Sequence, residues 1–114
     1  MILRLSIDPE ITERIPRVLR YLKEKGFFVV KSQFSSSYFG NFVVYLSSWR
    51  RMIRIVNDRG QFFGEIWSWK LRWESIESYL ERKGVPVDAL QANLTDDEDR
   101  LLALLARLIE RGAA

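Results

Sequence analysis

Two sets of carboxylates carry the chain's only spacing suited to acid–base or metal chemistry. One is the run Asp96-Asp97-Glu98-Asp99, a dense array of oxygen donors of the kind that favours calcium or magnesium. The other is Asp58 with Glu65, the only acids between residues 27 and 73; a carboxylate pair is the equipment of glycoside hydrolysis. The chain has no histidine and no cysteine. Within it, imidazole and thiolate metal ligands, disulfides, and Cys-His or Ser-His nucleophiles are therefore excluded.

Each set also has a plainer reading, and the plainer one is preferred. The acidic run matches no calcium-loop spacing and holds no glycine turn. Thr95 with Glu98 three residues on is a capping box, and acids in a first helical turn favour the dipole by about 0.3–1 kcal/mol each. Asp58 lies in the turn signal Asn57-Asp58-Arg59-Gly60, where its side chain has a local backbone role. Glycines 40, 60, 64 and 84 are dispersed, so no phosphate-cradling loop is visible. No catalytic, cofactor-binding or metal-binding residue is assigned, and a non-enzymatic role is expected.

The ambiguous set is aromatic and basic. Tyr38, Tyr45, Trp49, Arg50, Arg51, Trp67 and Trp69 are the candidate partner-binding residues, with Lys70, Arg72 and Trp73 beside them in sequence. Aromatics on a basic sheet bind single strands by stacking. Buried aromatics and Arg also dominate protein interfaces, and aromatics on a sheet are most often core against a helix. The ribonucleoprotein-type motif is absent. Core is the first reading, a protein interface the second, nucleic acid the third. Charge sharpens the choice. Residues 27–73 hold seven basic side chains (Lys31, Arg50, Arg51, Arg54, Arg59, Lys70, Arg72) against Asp58 and Glu65, whereas residues 74–114 are acidic. Complementarity between layers accounts for this simply; a polyanion partner is the sharper alternative.

The elements that must position these residues follow from periodicity. At 114 residues and 47% hydrophobic composition, the chain is expected to be one domain with a real core. Asp8-Pro9 is a helix start, and Ile7, Ile11, Ile15, Val18 and Leu22 form a helical stripe closed by Gly26. Pro16 predicts a kink or a break into two pieces. Period 2 then predicts strands over 27–34, 42–47, 51–56 and 62–69, with the serines after residue 34 prolonging an edge strand. Turn chemistry favours a three-residue loop between the last two strands, which sets Arg54 opposite Gly64; one more residue would set it opposite Glu65. A helix led by Trp73, with Ile76 and Leu80 inward, ends at Gly84-Val85-Pro86. Asp88 caps a short turn, and a leucine-rich helix follows Thr95. The fold class is α+β: an N-terminal helix, a four-stranded antiparallel meander, and two C-terminal helices packed on one face.

Phe39-Gly40-Asn41, Ile53-Arg54-Ile55-Val56, Asp58-Arg59-Gly60-Gln61 and Phe62-Phe63, followed by a Trp-led helix, resemble a pattern of small bacterial cytoplasmic proteins of uncharacterised function. Some of these are similar in layout to the immunity proteins encoded beside bacterial toxins. The resemblance covers roughly residues 26–80 and implies a cytoplasmic protein that binds another protein, with no catalytic residue and no cofactor. The opening MILRLSIDPE does not read as a signal peptide. No window approaches the ~20 apolar residues of a membrane helix, so no membrane partner is expected. The expected function is a protein-binding domain, of the immunity-inhibitor type; a nucleic-acid-binding module is the alternative, and a homodimer a further option.

Overall fold

The computed structural model describes residues 8–35, 41–68, 71–87 and 96–112, with backbone alone for 111 and 112. Helix α1, Pro9–Arg14, starts where Asp8 Oδ1 accepts a hydrogen bond from the Glu10 N–H at 2.9 Å. Helix α2, Pro16–Glu24, follows after a single non-helical residue, Ile15. The helical segment is therefore two pieces, as a proline without an N–H at position 16 requires. Their apolar stripe is continuous all the same: Ile11, Ile15, Val18 and Leu22 are fully buried. Gly26, at φ +90°, closes α2 in a Schellman motif, with the Gly26 N–H donating to Lys23 and the Phe27 N–H to Leu22.

Five antiparallel strands follow in meander order: β1 Phe28–Ser35, β2 Asn41–Ser47, β3 Met52–Asp58, β4 Gln61–Ser68 and β5 Arg72–Ser75. The expected count of four omits β5. Trp73 was read as the first turn of a helix; it stands on β5, directly opposite Trp67. Helix α3, Ile76–Arg82, begins three residues later, where Ser75 Oγ accepts from the Ser78 N–H at 3.1 Å. Helix α4, Asp97–Gly112, completes the fold. The short turn expected at Asp88 lies outside the described residues.

The register of β3 and β4 also differs from the preferred reading. Arg54 faces Glu65, and Ile55 faces Gly64. The cause is the turn: Asp58 pairs with Gln61, leaving Arg59 and Gly60 as a two-residue loop. Both have positive φ, +54° and +85°, the signature of a type I′ hairpin. Two asparagines hold it. Asn41 Oδ1 accepts from the Arg59 N–H at 2.8 Å, and Asn57 Oδ1 from the Gly60 N–H at 3.0 Å.

One sheet face meets the helices. Phe42, Val44, Leu46, Ile53, Ile55 and Ile66 pack with the buried residues of α1–α4 in a single core. Gly64 sits in that face without a side chain, which admits Ile76 and Leu101 close to β4. A Cβ there would stand 2.7 and 2.8 Å from their Cδ1 atoms.

The acidic run ties the two ends of this helical layer together. Ile15 precedes α2 and has no side chain to cap it. Glu98 does so from 81 residues away: its Oε2 accepts from the Arg17 N–H at 2.9 Å and the Val18 N–H at 3.1 Å, and its Oε1 from Arg17 Nε at 2.9 Å. Asp96 and Asp99 complete the ring around the Arg17 guanidinium. The hydrogen bonds it donates to Asp99 and then Glu98 hold that guanidinium above its ordinary pKa, against the effect of burial. The Thr95 half of the expected capping box lies outside the described residues. Asp96 Oδ1 takes the Glu98 N–H at 2.8 Å, and the Glu98 carboxylate caps a different helix.

Candidate binding surface

Strand alternation puts the second sheet face on residues 43, 45, 52, 54, 56, 63, 65, 67, 73 and 75, away from the core. No described helix covers this face. Its side chains fall into cross-strand rows. A central polar row runs Lys31, Tyr45, Arg54, Glu65, Ser75. On one side lie Met52, Trp67 and Trp73, and on the other Val43, Val56 and Phe63.

Trp73 organises the surface. Its ring lies edge-on to Trp67 at 5.4 Å, tilted against Tyr45 at 5.7 Å, and over the Arg54 guanidinium at 4.5 Å. A ring from β5 thus reaches across the sheet to one from β2. Arg54 Nε donates to Glu65 Oε1 at 2.6 Å beneath it, both side chains about one quarter exposed. Burial works against the Arg54 charge, but the hydrogen bond and charge of Glu65, helped by Tyr45, outweigh it and raise its pKa. The pair is fixed and partly shielded, and it gives the face a polar centre. Around it, Met52, Phe63 and Trp67 remain 37%, 45% and 42% exposed. Residues of this size normally pack inward.

The candidate residues therefore separate. Tyr45 and Trp67 belong to the open face, joined by Arg54, Glu65, Phe63 and Met52, which the list of candidates lacked. The signal for those four was present in the outward positions of β3 and β4, once the register is right. Trp49, Arg50 and Arg51 sit elsewhere, in the β2–β3 turn at the end of the sheet. Trp49 is 86% exposed with the Arg50 guanidinium 4.6 Å above its ring; Arg51 stacks on Tyr79 from 5.6 Å. Tyr38 and Trp69 lie outside the described residues.

The basic character of residues 27–73 is dispersed in the same way. On the open face, among the described residues, only Lys31 and the Glu65-paired Arg54 are cationic; Arg59 is in the far hairpin, and Arg50 and Arg51 are in the near one. Among the described residues, no group of three or more acids is placed to hold a metal ion. No helix among the described residues is long and apolar enough to cross a membrane. The chain matches no family model, no curated protein and no solved structure.

Proposed function

We propose that the chain is a non-enzymatic protein-binding domain that receives its partner on the open face of the sheet. One observation carries this: a face covered by no described helix, on which Met52, Phe63 and Trp67 stay partly exposed around the Trp73–Arg54–Glu65 centre. Exposed apolar side chains of this size flanking a polar centre mark an interaction site, and aromatic side chains and Arg are enriched in such sites. The resemblance supports a narrower form of the same reading, an immunity-type inhibitor acting on a toxin in the cytoplasm. The nucleic-acid alternative is less well served. Stacking proteins line their platforms with a basic groove, and here the central cation is already paired with Glu65.

A photo-crosslinking residue placed at Phe63, and for comparison at exposed Arg20 on α2, tests the reading in cells. One discrete protein adduct at Phe63 and none at Arg20 is expected. The purified partner should then lose at least about tenfold in affinity to Trp67→Ala. The proposal fails if no adduct forms at Phe63, or if single-stranded RNA binds at physiological salt and Trp67→Ala abolishes that binding.

A further inference from the structure

Among the described residues, the two most exposed large hydrophobic side chains are not on the open face. Trp49, 86% exposed, tips the β2–β3 turn, and Leu71, 76% exposed, tips the β4–β5 turn. Ser47 pairs with Met52 and Ser68 with Arg72, so both turns leave the same end of the sheet. Two strand spacings put them roughly 10 Å apart. Phe28, 57% exposed and opposite Ser47, lies at that end too. Leu71 occupies the left-handed region, φ +58°, which is strained for a non-glycine residue. Strain that serves to present an apolar side chain to solvent is an observation in search of a function.

Cations ring these tips. Arg50 stacks on Trp49, Lys25 shares a cleft with Trp49 and Arg50, and Arg51 and Lys83 approach the Tyr79 ring from 5.6 Å each. Arg72 adjoins Leu71 and is exposed. Against these five cations, the described acids next to them in sequence are Glu24 beside Lys25, Glu81 beside the Glu74-paired Arg82, and Glu110 beside Ile109, so the balance among the described residues is positive. The acidic run starts α4, and twelve residues at 1.5 Å each set it about 18 Å from Ile109, which lines the same cleft as Lys25.

We infer that this end rests on an anionic lipid surface, with Trp49 and Leu71 entering the headgroup layer and Arg50, Arg51, Arg72, Lys25 and Lys83 on the lipid phosphates. The charge match and the apolar tips point to the same occupant. A basic patch is attracted to an anionic leaflet, Trp prefers the interface, and long basic side chains reach the headgroups around it. A nucleic acid would use the cations and Trp49 but gain nothing from Leu71. The expectation of no membrane partner rested on the lack of a spanning segment, which concerns crossing a bilayer and not lying against one.

Co-sedimentation with vesicles tests this. Vesicles of phosphatidylcholine with 30% phosphatidylglycerol should bind the protein at 50 mM salt, and pure phosphatidylcholine should not. Arg50→Gln and Lys83→Gln should each weaken binding roughly fivefold, about 1 kcal/mol per basic residue. Trp49→Ala should weaken it about tenfold. Leu71→Gly is the decisive variant: glycine relieves the positive φ, so the melting temperature should hold or rise while vesicle binding falls. Three results would each overturn the inference: no binding to the anionic vesicles, binding indifferent to Trp49→Ala and Leu71→Gly, or a single-stranded oligonucleotide that binds this end more tightly than the vesicles do. None of them touches the open-face reading.

Discussion

Glu98 shows how far a residue's role can depart from its place in the sequence. An acid three residues after Thr95 has an obvious local task, but Glu98 is 6% exposed and spends both oxygens on another helix. It satisfies two N–H groups of a helix whose preceding residue, Ile15, cannot. Removing it orphans those donors in a buried place. Glu98→Ala is expected to destabilise the fold by about 2–4 kcal/mol, read from denaturant unfolding. Arg17→Ala should cost clearly less, because Arg17 is partly exposed, its pairs are screened, and the caps survive it. Equal losses in the two variants would mean that the ion pairs and not the caps hold the helices together.

At the scale of elements, the sequence carried most of the sheet and missed its two boundaries. Alternation placed β2, β3 and β4 within a residue or two, and Pro16 announced the division of α1 from α2. The β3–β4 register was not legible because an arginine in the left-handed region leaves no mark; type I′ loops usually announce themselves as Asn-Gly. Strand β5 was missed because Trp73, Ile76 and Leu80 also fit a helical stripe, although Ser75 ahead of Ile76 was a usable cap signal. The candidate binding surface was only half legible for the same reason: which aromatics share a face depends on register. The hairpin makes a direct prediction. Arg59→Asn should stabilise by about 0.5–1 kcal/mol, since Asn tolerates positive φ and the bond to Asn41 Oδ1 is donated by the residue's backbone N–H and survives. Gly60→Val, at φ +85°, should destabilise by roughly 1 kcal/mol or more. A destabilising Arg59→Asn would argue that the arginine side chain itself supports the turn.

The whole molecule depends on contacts made late in the chain. Helix α4 contributes Leu101, Leu104, Leu105 and Leu108 to the common core, all nearly or fully buried, and supplies Glu98 to α2. Burying a leucine stabilises by about 1.5–3 kcal/mol, so four amount to about 6–12 kcal/mol, as large as the entire stability of an ordinary domain. The sheet carries the candidate binding face but does not hold itself up. No described helix covers that face, and the other is covered by a layer in which α1 and α2 reach the last helix through Arg17 and Glu98. A chain ending at residue 95 is therefore expected to lose cooperative unfolding altogether, to bind a hydrophobic dye, and to lose the near-ultraviolet signal of its tryptophans. The alternative is a sheet that stands with α1–α3 alone. In that case the truncated chain would keep a sharp melting transition at lower temperature, and α4 would be an addition to a smaller folding unit instead of part of it.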